Sequence, residues 1–220
     1  MKDLNQLLLK FDLRQNYQNE DFYVNESNFY AYSLIEKWPK WDKNILNIHG
    51  EKFSGKTHLS NIFKKKHKAL KINAVDFTNE SLKKFKIFEN LILDNFDENV
   101  DERLMYTLFN VADQDNKYIL INSLLPINKF NFKLKDFASR AKNCIFAKIE
   151  NPNDELMFAI LLKNFSDRQI IIEKKLIDFI IKHIDRSYGK IYEFVYKLDE
   201  ISLKKKKSID FKIIKEALKV

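Results

Sequence analysis

The sequence predicts an α/β protein: a mostly parallel sheet with helices on both faces, followed by a small all-helical unit. Three observations lead there. Apolar strand-like runs alternate with helical patterns through the first two-thirds of the chain. A glycine-bracketed loop joins the first of those runs to the first helix. Beyond residue 150 only helical periodicity remains.

The loop comes first because it is the most specific feature. The chain has only three glycines, and two of them bracket Gly50-Glu51-Lys52-Phe53-Ser54-Gly55-Lys56-Thr57. This is the spacing of a phosphate-binding loop, G-x-x-x-x-G-K-T, in the setting that makes it meaningful. The apolar run Ile45-Leu46-Asn47-Ile48-His49 precedes it, and the helix-like stretch His58-Leu59-Ser60-Asn61-Ile62-Phe63 follows. Glycines at these positions let successive backbone N–H groups turn inward around phosphate oxygens at a helix N-terminus. Lys56 is placed to reach the β- and γ-phosphates, and the Thr57 hydroxyl to hold Mg²⁺. The expected ligand is a nucleoside di- or triphosphate.

Strand-like runs follow at 69–75 and 88–94, then a helix at 102–111 with Leu104, Leu108 and Val111 on one face. Further strands are expected at 118–121 and 141–149. Leu91-Ile92-Leu93-Asp94 is a buried strand ending in an acid, which in phosphate-loop proteins helps hold Mg²⁺. The next residue is Asn95, where hydrolysing proteins of this type place a second acid. An amide cannot take a proton from water, so slow intrinsic hydrolysis is expected. Asp97 or Glu98 could substitute only if the turn bends back towards the phosphate. After Glu150-Asn151-Pro152-Asn153 helices are expected at 153–165, 173–184, 188–200 and 210–219, the second with an apolar face of Ile177, Phe179, Ile180, Ile181 and Ile184.

Composition narrows the function classes. The 220 residues are 45% hydrophobic and 14% aromatic, enough for a substantial core. One cysteine, Cys144, excludes a disulfide framework and fits a buried thiol in a reducing cytoplasm. No signal peptide or membrane-spanning run is expected. The four histidines show no metal-ligand spacing. The net charge of +8 invites nucleic acid, yet much of it lies in the runs 64–66 and 204–207, which read as solvated faces.

Taken together, the loop, Leu93-Asp94-Asn95, a later Ser139-Arg140 and the helical lid resemble the AAA+ module of the bacterial replication initiator DnaA. The similarity is closer to the short Hda branch of that family, which serves regulatory inactivation of DnaA, and it covers essentially the whole chain. The paired Asp94-Asn95 resembles the Hda form better than the two acids of DnaA. By this resemblance, no counterpart of the DNA-binding helix-turn-helix domain or of the N-terminal domain of DnaA is expected within these 220 residues.

What the resemblance implies can be stated residue by residue. Phe22, Tyr23 and Val24, with Ser27 and Asn28 behind them, look like the segment that wraps adenine. Gly50, Ser54, Gly55, Lys56, Thr57 and His58 would surround the phosphates of ADP or ATP, with Mg²⁺ on Thr57 and Asp94. Asn95 and Asn122 (or Ser123) would lie near the γ-phosphate. Asp136-Phe137-Ala138-Ser139-Arg140 is similar to the box ending in the arginine finger, so Arg140 would act in trans on ATP bound to DnaA. The lid arginine of the family matches Gly189 here, so either a neighbour, Arg186 or Lys190, compensates or phosphate sensing by the lid is lost. Gln6, Leu7, Leu9 and Phe11 resemble the peptide by which Hda binds the polymerase sliding clamp.

The expected organisation is therefore a clamp-binding peptide (1–15), a nucleotide-binding α/β domain (16–150) and a helical lid (151–220). The expected role is that of a cytoplasmic, clamp-tethered protein with weak ATPase at most, which stimulates hydrolysis of DnaA-bound ATP and so inhibits replication initiation. DNA would be reached through the clamp, and a homo-oligomer is compatible with the pattern. The alternative is a DnaA-like, ATP-hydrolysing helicase loader that binds single-stranded DNA, in which the basic charge is functional. A third reading is an adaptor that binds clamp and nucleotide only.

Overall fold

The structure, a computed structural model, describes residues 22–168, 170–205 and 207–218. Five strands form one sheet: β1 (Ile45–His49), β2 (Leu70–Asn73), β3 (Asn90–Phe96), β4 (Tyr118–Ser123) and β5 (Ile145–Lys148). Their spatial order is β2-β3-β4-β1-β5, and every neighbouring pair is parallel. Parallel strands covered on both faces must be apolar on both, which is why the middles of β3 (91–93) and β4 (119–121) read as unbroken apolar runs.

The two faces sort their residues by alternation. Leu91, Leu93, Ile119 and Ile121 enter one apolar cluster, completed by Met105, Leu108 and Phe109 of α4 (Glu102–Gln114) and Phe137 of α5 (Lys135–Lys142). Leu46, Ile48, Ile92 and Leu120 enter the other. There they meet Ala31 and Ile35 of α1 (Phe29–Lys37) and Leu59, Ile62 and Phe63 of α2 (Lys56–His67). Beyond β5 the chain is helical: α6 (Asp154–Asp167), α7 (Lys174–His183), α8 (Tyr188–Lys205) and α9 (Phe211–Leu218). These four share a third cluster that includes Leu161, Phe165, Ile180, Val195 and Ile214. Leu156 and Tyr188 instead pack on the α1–α2 side of the sheet and join the two units.

Several expected elements shift. The last strand is only four residues long, because Ala141 and Lys142 complete α5 and Cys144, buried, closes the turn. On α4 the fully buried stripe is Met105, Leu108, Phe109 and Ala112, while Leu104 and Val111 lie at its margin. The helix begins at an Asp101 cap, whose carboxylate accepts from the N–H groups of Arg103 and Leu104. Two helices were not anticipated, α1 and α3 (Asn79–Phe85). On α7 the buried residues are Leu176, Ile177 and Ile180, with Phe179, Ile181 and Ile184 partly covered.

β1 is flanked by β4 on one side and β5 on the other, so the strand order switches direction at its C-terminal end. Open parallel sheets bind ligands at such a point. The glycine-bracketed loop stands there.

Candidate phosphate-binding site

The loop starts directly from β1. Gly50 is buried, and a Cβ there would come within 2.8 Å of the Ile149 carbonyl oxygen. Gly55 has φ +94°, the left-handed region where a side chain is strained, and a Cβ would lie 2.8 Å from the Phe22 ring. Helix α2 follows at once, so its first N–H groups open into the loop. The Lys56 ammonium is folded back over the loop, donating to the carbonyls of Gly50 (2.8 Å) and Glu51 (2.7 Å). Burial pulls it down to about 8, against the opposing pull of the Asp94 and Glu51 carboxylates.

In the first turn of α2, the Thr57 hydroxyl donates to Asp94 Oδ1 at 3.2 Å. The same oxygen accepts from Asn122 Nδ2 (3.1 Å) at the end of β4. Adjacent strand ends thus bring together two residues 28 positions apart. Burial raises the Asp94 carboxyl, but hydrogen bonds from Asn122, Lys71 and Thr57 outweigh it and hold the group below its ordinary range. Asn122 also donates to Ser60 Oγ (2.5 Å), and its buried Oδ1 has no partner among the described residues. Ser123 turns away, its hydroxyl donating to the Leu125 carbonyl.

These residues fit a magnesium ion that arrives with phosphate. A hydroxyl and a carboxylate, both hard oxygen donors, lie within 3.2 Å of each other, and an orphaned acceptor sits beside them. Among the described residues no three His, Cys, Asp or Glu side chains could hold a metal by themselves.

The Asn95 side chain does not join the group. It is exposed, with φ +52°, and its amide donates to Asn73 Oδ1 on β2 at 3.3 Å. Asp97 is used locally, accepting from the Asn99 N–H. Of the segment expected at a base, Phe22 lies over the loop, edge-on to His58 (5.3 Å) and stacked with Tyr32 (6.2 Å). Tyr23 reaches the helical unit, its hydroxyl donating to Glu155 at 2.5 Å. That bond and burial push Tyr23 up to about 12. Val24 is partly buried against the α1–α2 cluster. Gln6, Leu7, Leu9 and Phe11 lie outside the described residues.

On the helical unit, Arg186 is bonded to Asp154 (2.9 Å) and Lys190 to Glu193 (3.0 Å), both well exposed. What α8 does offer the loop is its N-terminus. Glu51 accepts from the Ser187 hydroxyl (2.5 Å) and from the N–H groups of Tyr188 (2.9 Å) and Gly189 (3.0 Å). A Cβ on Gly189 would lie 2.9 Å from Glu51 Oε1. One turn further on, Tyr192 stacks on Phe53 with centroids 4.2 Å apart and planes 8° from parallel. Sequence reasoning gave no part to Glu51, Phe53, Ser60 or Lys71, all of which the structure ties to the loop or its acid.

Arg140 lies elsewhere. Its guanidinium pairs with Asp113 of α4 (2.5 Å) and sits over the Tyr106 ring. It lines a cavity with Asp42, Asn44, Ile45 and Asn143, at the end of β1 where the strand begins. The loop leaves the other end, a strand of five residues or ~16 Å away.

No protein-family model matches the chain. Among curated proteins it is similar to the chromosomal replication initiator protein DnaA of Helicobacter hepaticus, 28% identical over 200 residues, covering 80% of this chain and 43% of that protein. It is likewise similar to DnaA of Borrelia turicatae, 29% identical over 240 residues, covering 94% and 49%. The chain thus spans about half the length of the curated relatives it matches. Among solved structures, domain III of the Thermotoga maritima replication initiation protein DnaA superposes with a TM-score of 0.75 at 22% identity, covering 90% of this chain and 94% of that one. AMPPCP-bound DnaA from Aquifex aeolicus gives 0.66 at 22% identity, covering 83% and 64%. The fold is the DnaA-like AAA+ fold.

Proposed function

We propose that this chain is a nucleotide-binding, DnaA-like AAA+ regulator that stimulates hydrolysis of ATP held by the initiator DnaA. The observation that carries the nucleotide reading is the convergence of Lys56, Thr57, Asp94 and Asn122 on one loop at the sheet's switch point. In this reading the loop N–H groups and Lys56 hold the phosphates of ADP or ATP, and Phe22 flanks the base side of the loop. Magnesium, held by Thr57 and Asp94, would neutralise phosphate charge when bound. Asn95 supplies no base, so turnover of this chain's own nucleotide is slow.

The trans role rests on Arg140. Its place at the opposite strand end keeps it from this chain's own phosphate loop, and its bond to Asp113 is exposed. Exposed ion pairs hold by ~0–1 kcal/mol, so a partner's phosphate can displace Asp113 readily. Residues 6–11 would tether the chain to the sliding clamp, with DNA reached through it.

The test is single-turnover hydrolysis of ATP preloaded on DnaA, with this chain, the clamp and DNA added singly and together. Acceleration should require the chain and DNA-loaded clamp, and Arg140→Ala should abolish it while leaving nucleotide and clamp binding intact. Full stimulation by the Arg140→Ala protein refutes the finger. No acceleration in any combination, with salt-sensitive binding to single-stranded DNA instead, moves the loader reading ahead.

A further inference from the structure

The Asp94 carboxylate already has a cation. Lys71 of β2 places its ammonium 3.1 Å from Asp94 Oδ2 and 2.8 Å from Asn61 Oδ1 of α2. The parallel register explains the meeting: Lys71 pairs with Ile92 and Asn73 with Asp94, so Lys71 stands two residues back on the face covered by α2. Both partners are largely covered, with side chains 20% and 10% exposed, which distinguishes this pair from the exposed pairs elsewhere on the surface. Two of the ammonium's three donors are engaged by acceptors on two different elements, so the charge is fixed in place.

The other carboxylate oxygen is equally occupied. Oδ1 accepts from Thr57, Asn122 and the Asn95 main-chain N–H (3.2 Å). Magnesium gives up its waters reluctantly and relies on carboxylate charge together with phosphate oxygens. A carboxylate balanced by a fixed ammonium and engaged by three further donors can still join Thr57 in holding the ion, but it attracts the ion less than a free carboxylate does. The ammonium, for its part, lies where the phosphate-loop helix meets the acid and supplies positive charge with no metal required.

We propose that Lys71 is a resident counter-ion of Asp94 that takes over part of magnesium's role, so that this chain holds nucleotide with little dependence on divalent cation. The proposal rests on the nucleotide reading of the loop. A purely structural lysine would neutralise a buried acid, and its loss would lower stability without changing how binding responds to magnesium.

The test uses the full chain and a fluorescent ADP analogue, with Kd measured by anisotropy in excess Mg²⁺ and in EDTA. For the unaltered protein the two values should agree within about threefold, and in Lys71→Met they should separate to about tenfold or more as Asp94 is freed for the ion. Lys71→Arg, which keeps the charge, should behave as the unaltered protein. Equal ratios in Lys71→Met and the unaltered protein overturn the proposal, and so does binding by a folded Lys71→Met that magnesium fails to support. Should Lys71→Met not fold, the unaltered protein decides alone: a ratio clearly above about threefold overturns the role of Lys71. Failure of the unaltered protein to bind in either condition refutes the nucleotide reading itself, a result distinct from binding with a wrong ratio.

Discussion

The phosphate loop meets the rest of the molecule on two flanks, and the two are built differently. Towards β3 it is held by fixed charge and short polar side chains: Lys71, Asp94, Asn122 and Thr57. Those groups sit on neighbouring strands of one sheet and on the helix packed over it, so the backbone ladder sets their spacing. Towards α8 the loop is held by a helix cap and a ring stack, Glu51 on the N-terminus and Phe53 on Tyr192. That flank joins two units whose apolar clusters are separate except where Leu156 and Tyr188 bridge them. The difference assigns roles. Changes on the β3 flank should alter affinity and its metal dependence, whereas changes on the α8 flank should alter where the helical unit sits.

The largest effect should come from Lys56, which belongs to both flanks through the charges of Asp94 and Glu51. Lys56→Ala removes charge-assisted bonds to phosphate and should weaken nucleotide binding about a hundredfold or more by titration. The pH dependence has a definite sign. The ammonium of the free protein titrates near 8, and bound phosphate holds the proton on it more firmly. The complex therefore carries more protons above that value, and affinity falls as pH rises through it. Affinity unchanged up to about pH 9.5 would show that Lys56 does not contact phosphate.

Glu51→Ala should have a smaller effect, confined to the other flank. It removes the carboxylate from the first N–H groups of α8, a cap worth ~0.5–2 kcal/mol. The amides of Tyr188 and Gly189 should then exchange hydrogen faster, with nucleotide affinity at fixed magnesium changed far less than by Lys56→Ala. Unchanged exchange at those two amides would mean that the cap does not hold the flank together. Acid should act in the same direction. Burial raises Glu51, but the Ser187, Gly189 and Tyr188 bonds more than offset it, leaving the group below its ordinary 4.5. The contribution of the cap is present above that value and is lost as pH falls through the lower folded one.

The same two flanks show what the sequence made legible. Gly55 announced itself because only glycine suits φ +94° against the Phe22 ring, and Asp94 because it ends an apolar run after such a loop. Lys71 was hidden, since Leu70-Lys71-Ile72 reads as an edge strand with its polar side to water. Only the β2–β3 register brings it to the acid. Glu51 was hidden more deeply, as its partners lie 136 to 138 residues away across a unit boundary. The start of α3 was readable after the fact: Thr78 caps it by accepting from the Ser81 N–H, a short-range signal passed over in a segment with little apolar periodicity. α1 carries no side-chain cap, and its Phe29-Tyr30 start resembles a strand as much as a helix.

The smallest effect should separate the two components of the α8 flank. Phe53 holds φ +69°, unfavourable for a side chain, while 48% exposed, so the loop tolerates strain to present that ring. Stacked aromatic pairs contribute ~0.5–1.5 kcal/mol beyond burial, so Phe53→Ala should lower stability by about that amount while the strain persists. Phe53→Gly relieves the strain and removes the ring together, and should therefore cost less than Phe53→Ala. A double-mutant cycle with Tyr192→Ala isolates the contact, with a coupling of ~0.5–1 kcal/mol expected from thermal unfolding. Coupling near zero, together with faster Gly189 exchange in Glu51→Ala, would reduce the α8 flank to its carboxylate cap. Coupling at the expected size makes Phe53 the second point of attachment, and explains why a strained aromatic stands inside a phosphate loop.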